Sequence, residues 1–364
     1  MIPRPMLRES LFILTAVALG LPVASCQPAQ TTESTHETPG PTTGAAGGGV
    51  GLAGSVTMDG SATVLPVSRK MADAFQQRNP GVRVAAQSSG TGGGFRKFCA
   101  GEVDVTGASR PINAAESQAC RANHVEFIEL PIAFDSLSVV VNAKNMFVGC
   151  LKVDELKRVW EPAAEGKLTR WNQIRSDFPD RPLALFGPGK DSGTFDYFTL
   201  AVVGVESSSR NDYTKSEDDT VLVNGVAADP DALGYFGYAY YLANRDTLKL
   251  VAIDSGQGCV VPGPQTVADN SYQPLSRPMF VYVSRSAAAR PEAKAFARFC
   301  VDPENARYVR DVGYVPLPAV TLLAAGRRLD NGVTGSIFGG RGSVLGVTAD
   351  TFQDEDRIQN ALVQ

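Results

Sequence analysis

The sequence predicts an α/β protein with two domains. Short β-type runs alternate with helical ones along the chain. Roughly 310 residues follow a low-complexity stretch near the start, too many for one ordinary core. Three Gly/Ser/Thr-rich loops each fall between a strand and a helix.

Residues 1–25 precede these elements and read as a signal peptide. Arg4 and Arg8 form a short basic region, Leu11 to Leu21 is apolar, and Val23-Ala24-Ser25 runs into Cys26. The apolar run is shorter than the roughly 20 residues of a membrane-spanning helix. A Cys after small residues resembles the bacterial lipoprotein box, which makes Cys26 the expected point of lipid attachment. Residues 26–54, rich in Thr, Pro, Gly and Ala, cannot bury enough surface to offset the entropy of ordering, and read as a flexible spacer.

The folded part opens with a strand at Ser55–Met58. Pro66 to Gln77 places Val67, Met71 and Phe75 on one helical face, and Asn79-Pro80-Gly81 stops it. Val82–Gln87 alternates as a strand, and a glycine-rich loop leads to a helix at Phe95–Ala100. Val103–Ala108 and Val125–Leu130 read as strands. Between them a helix starts at Ala114, with Asn113 as cap and Glu116 as its capping-box partner. His124 falls at a strand edge. Leu137–Asn142 follows as a buried strand, Val153–Trp160 as a helix, and Leu183–Phe186 as a strand ending in the loop before Phe195. Leu248–Ile253 and Phe280–Ser284 are late strands, and Pro291–Cys300 and Pro303–Val309 late helices. The chain after Gly340 reads as polar and loosely structured.

With 34 Lys and Arg against 38 Asp and Glu, the formal charge is −4. That excludes a strongly basic nucleic-acid binder and leaves anion capture to local geometry. Besides Cys26 there are Cys99, Cys120, Cys150, Cys259 and Cys300, which in an exported protein predict two disulfides and one thiol. Cys99 with Cys120 is the first expectation, and the remaining pairing stays open. Without CxxC or Cys/His spacing there is no metal site to expect, nor a cofactor.

The three loops are Asp59-Gly60-Ser61-Ala62-Thr63, Ser88-Ser89-Gly90-Thr91-Gly92-Gly93-Gly94, and Asp191-Ser192-Gly193-Thr194. Unpaired amides and the positive dipole end of a helix favour anions, glycine permits close approach, and hydroxyls add donors. One such loop is as well explained as a capped helix start; three together point to an oxyanion site. Arg110, after a strand end, could grip an oxyanion bidentately. Asp135 and Asp191 are candidate acceptors for the proton that phosphate carries and sulfate lacks. Enzyme readings find little: His36 and His124 are the two histidines, and neither a G-x-S-x-G elbow nor a G-x₄-G-K-[S/T] loop is present.

In this order, Asp59–Pro66, Ser88–Phe95, Gly107–Ile112, Gly187–Phe198, Leu233–Tyr241 and Val312–Pro318 resemble the PstS-type phosphate-binding proteins of bacterial ABC transporters, especially a lipoprotein branch familiar from cyanobacteria. The resemblance implies a type II periplasmic-binding-protein-like clamp, two α/β lobes joined by hinge strands. Lobe 1 would combine 55–135 with 280–340, lobe 2 would be 136–279, and 341–364 a tail. It assigns ligand binding to Ser61, Thr63, Thr91, Ser192, Gly193 and Thr194, with Ser89 as a neighbour. It also implies inorganic phosphate as ligand, ABC permease subunits as partners, and an extracytoplasmic, lipid-anchored location. The chain departs from the best-known members in two places. Arg110 stands where they carry Asp, and Pro188 or Gly189 where they carry Arg. The cation of the site is then expected to be Arg110, with Asp135 or Asp191 as acceptor and Arg210 as a second cation or a structural residue. Alternatives are the same clamp for sulfate or molybdate, a phosphate-sensing surface lipoprotein without a transport role, or a phosphoester hydrolase.

Overall fold

A computed structural model describes residues 51–352; the expected signal peptide, Cys26, most of the spacer and residues 353–364 lie outside the described residues. Strands β1 (Ala53–Gly60), β2 (Gly81–Ala86) and β3 (Val105–Ala108) are parallel, with β1 in the middle. Helices α1 (Leu65–Arg78), α2 (Gly90–Cys99) and α3 (Ala114–Ala122) follow them in turn. Parallel pairing requires such crossovers, and it puts every strand-to-helix loop at one edge of the sheet.

Local chemistry accounts for much of this. α1 buries Val67, Met71 and Phe75, the predicted stripe, with Pro66 in its first turn. α3 has the expected capping box: Asn113 accepts from the Glu116 amide at 2.8 Å, and the Glu116 carboxylate accepts from the Asn113 amide at 2.9 Å. α2 departs from expectation. It begins at Gly90, so the glycine-rich loop forms its first turns, although glycine is a poor helix former. His124 sits in a turn with φ 57° rather than at a strand edge.

The strands expected at Val125–Leu130 and Leu137–Asn142 are one, β4 (Phe127–Asn142), buried at every residue. Pro131 is tolerated inside it because the pairing register slips there, between Met279 and Phe280 of the partner strand. Up to Ser136, β4 pairs antiparallel with Ser276–Ser284, which pairs on its other side with β3. From Leu137 it pairs with Ala232–Gly237, which lies parallel to Ala184–Pro188. β4 therefore carries the chain from one half of the molecule to the other.

The apolar side chains segregate accordingly. Two clusters draw on residues 56–134 and 279–352, with Ala239 and Val267 added. Two others lie wholly within 137–275. Disulfides join Cys99 to Cys120 and Cys150 to Cys259, and the Cys300 thiol is buried. The expectation of a loose tail is corrected for residues 341–352. There the Gly342 amide donates to Ile112, and Val347 and Phe352 are buried, because apolar residues at wide spacing find a hydrophobic cluster already formed. Among the described residues no helix is long and apolar enough to cross a membrane.

Candidate functional site

The loops that follow β1, β2 and β3 meet the loop between Ala184–Pro188 and the helix Gly193–Phe198. They bring Ser61, Thr63, Thr91, Ser109, Ser192 and Thr194 together, all buried. Ser61 Oγ donates to Ser109 Oγ at 3.1 Å, Thr91 Oγ1 lies 3.2 Å from Ser109 Oγ, and Thr63 Oγ1 lies 3.1 Å from Thr194 Oγ1 across the two halves. Ser192 caps its helix by accepting from the Thr194 amide at 3.1 Å. Hydroxyl hydrogens rotate, so donors that now serve one another can turn to an oxyanion. Gly193 lets the second half seat on this cluster: a Cβ there would stand 2.5 Å from Thr91 Oγ1 and 2.6 Å from Ser109 Oγ.

The cation in the cluster is Arg277, which the sequence reading missed. It is fully buried, and Nη2 lies 3.0 Å from Thr63 Oγ1, 2.9 Å from Thr194 Oγ1 and 3.0 Å from Asp135 Oδ2. Nη1 donates to the Gly193 carbonyl at 3.3 Å. Arg277 and Asp135 are directly opposed in the register of the Ser276–Ser284 strand on β4, so the sheet itself holds the pair. Asp135 Oδ1 accepts from the Tyr238 amide at 3.4 Å. Burial pushes the Asp135 carboxyl up to about 6, although Arg277 pulls it down. A planar guanidinium among hydroxyls matches the geometry of a tetrahedral oxyanion.

Other expected residues lie elsewhere. The Arg110 guanidinium is held among carboxylates. Nε donates to Asp196 Oδ2, and Nη1 and Nη2 to the two oxygens of Glu116, each at 2.8 Å. Asp191 sits at the exposed rim, paired bidentately with Arg96 at 2.7 and 2.6 Å, and that hydrogen-bonded pairing holds its carboxyl below the usual range. Ser89 does not cap α2 but donates to Asp59 Oδ1 at 2.7 Å. Arg210 is structural, bonded to Asp212 and to the Val159 and Leu168 carbonyls.

Two of the missed residues left a trace in the sequence. Ser109 directly follows the end of β3, one position before the arginine that was singled out. Arg277 stands directly before the apolar run Pro278 to Val283, and a charge at the mouth of a buried strand calls for a partner. Among the described residues, no group of three or more His, Cys, Asp or Glu is placed to hold a metal ion.

Residues 30–304 match the family model of the PBP superfamily domain. The chain is 43% identical over 342 residues to the SphX protein of Synechocystis sp., covering 94% of this chain and 95% of that one. It is 34% identical over 286 residues to the phosphate-binding protein PstS of Staphylococcus aureus, covering 76% of this chain and 85% of that one. Among solved structures, a possible phosphate binding protein from Planctomyces limnophilus superposes with a TM-score of 0.56 at 41% identity, over 78% of this chain and 99% of that one.

Proposed function

Because this chain belongs to the PBP superfamily, alongside the SphX and PstS proteins and with their two-lobed α/β fold, we propose that it is an extracytoplasmic receptor that captures inorganic phosphate and delivers it to an ABC-type importer. The observation that carries this reading is a buried arginine, Arg277, held between the Thr63 and Thr194 hydroxyls of the two halves, with the Ser61, Thr91 and Ser109 hydroxyls bonded to one another beside Gly193. The superfamily consists of solute-binding proteins rather than an enzyme class, and this site needs no catalytic group.

In this reading the two lobes are 55–135 with 280–340, and 136–279. The ligand is gripped by Ser61, Thr63, Thr91, Ser109, Ser192, Gly193 and Thr194, with Arg277 as the cation and Asp135 as the acceptor of a phosphate proton. Arg110 and Asp191 hold the halves together: Arg110 bridges to Asp196, and Asp191 to Arg96. A ligand touching both lobes stabilises the form in which they meet. Cys26 carries the lipid that tethers the chain, supported by the small residues before it; radiolabelled palmitate entering the native chain but not Cys26→Ser is the expected result.

Calorimetric titration of phosphate into the purified protein, stripped of co-purified ligand and repeated with sulfate competing, tests the proposal. One-to-one binding that sulfate fails to displace is expected, because an acceptor carboxylate repels an anion without a proton. Displacement by sulfate would reassign the site to another oxyanion.

A further inference from the structure

We propose that Asp219 takes up a proton when phosphate enters the hydroxyl cluster, which makes capture proton-coupled; this rests on the phosphate reading above. Asp219 opens the helix Asp219–Ala228, but it is not that helix's cap. The Asp218 side chain fills that role, accepting from the Thr220 amide at 2.8 Å. The Asp219 side chain is instead turned inward, 1% exposed, and its Oδ2 has no hydrogen-bond partner. A carboxylate oxygen in that condition is costly, and in a native structure it asks for an explanation.

Its surroundings supply one. The Gly237 amide faces the Asp219 carboxylate, and the next amide, Tyr238, serves Asp135. Both carboxylates therefore rest on consecutive amides of one turn. That turn abuts the anion cluster, since a Cβ on Gly237 would stand 3.1 Å from Thr63 Cγ2. Arg277 attracts Asp219, Asp135 and Asp218 repel it, and Tyr240 and Tyr314 face it as phenols whose ionisation is suppressed by burial. Burial pushes the Asp219 carboxyl up to about 7, against the pull of Arg277 and with the help of Asp135.

The charge balance then decides the matter. Arg277 is one positive charge, while Asp135 and Asp219 together bring two negative ones, and Arg110 is already matched by Glu116 and Asp196. A phosphate dianion arriving here leaves the buried group strongly negative unless a proton comes with it. Asp219 Oδ2 is the unpartnered oxygen able to take that proton from solvent. A carboxylate becomes a carboxylic acid and no other bond changes.

The test uses the native chain at pH 8, where phosphate is mostly a dianion and the Asp219 carboxyl, pushed up to about 7, is mostly ionised in the free protein. Phosphate is titrated calorimetrically in buffers of different ionisation enthalpy, which counts the protons exchanged. Uptake of about one proton per phosphate is expected, with Kd weakening about tenfold per pH unit above 8. Asp219→Asn should bind phosphate with that uptake and that pH slope both lost. Should the variant misfold, the infrared difference spectrum of the native chain still reads the event, as a new protonated-carboxyl C=O band on adding phosphate. Binding without proton uptake, or equal uptake in native and variant chains, overturns the proposal alone. No phosphate binding by the native chain overturns the phosphate reading, and this proposal with it.

Discussion

At the scale of single residues, two arginines divide the work that the sequence assigned to one. Arg277 faces hydroxyls and one carboxylate, so its remaining hydrogen-bonding capacity is directed into the cluster. Arg110 is buried between Glu116 on its own side and Asp196 on the other, and Asp196 in turn accepts from Ser207 at 2.5 Å. Removing Arg110 strands the buried Asp196 and the half-buried Glu116, and losing one partner of a buried pair costs about 3–5 kcal/mol. Arg110→Ala is therefore expected to lower the melting temperature markedly and to weaken phosphate binding, with Asp196→Asn recovering part of both losses. A variant that melts like the native chain yet loses phosphate would return Arg110 to direct ligand contact. The exposed pair of Arg96 with Asp191 should matter far less, since solvent screens it.

At the scale of elements, the site depends on where helices begin. α3 starts one residue after Asn113, and its capping box joins it to the arginine network, because the Glu116 carboxylate that accepts from the Asn113 amide also receives Arg110. Asn113→Ala removes the acceptor for the Glu116 amide, at about 1 kcal/mol. Chemical denaturation should show that loss with little change in phosphate affinity, while an unchanged midpoint would mean that the cap contributes nothing here. α2 shows the opposite balance of forces. Its glycines weaken the helix locally but permit contact: Gly90 has φ 81°, and a Cβ there would stand 2.4 Å from the Asp191 carbonyl. Tertiary packing overrides propensity at that point, which is why the helix begins earlier than periodicity indicates.

At the scale of the whole molecule, β4 and the Ser276–Ser284 strand pair along the junction of the two halves, and the ion-paired Asp135 and Arg277 sit on them. Each disulfide closes a loop within one half: Cys99–Cys120 spans 21 residues and Cys150–Cys259 spans 109. In the chain-entropy account a longer loop restricts the unfolded chain more, so replacing both cysteines of the longer bridge by serine should cost about 5 kcal/mol, and of the shorter about 3. Urea unfolding of the two double variants measures the difference. A greater loss from the shorter bridge would show that native packing, not loop entropy, governs stability here.

The sequence by itself determined the α/β class, the strand-to-helix loops with their Ser and Thr donors, the α3 cap and the Cys99–Cys120 pair. The disulfide reaches 21 positions; the rest are set by residues a few positions apart or by composition, and so they are written locally. Which charged groups meet at those loops was decided by the tertiary structure. Arg277 reaches Asp135 across 142 positions through the register of two strands, and Asp219 meets Asp135 on consecutive amides of the turn at Gly237. Sheet register and the seating of one half on the other depend on contacts summed over the whole fold. No local pattern around Arg110 could therefore reveal that carboxylates on two elements would claim it before any anion does.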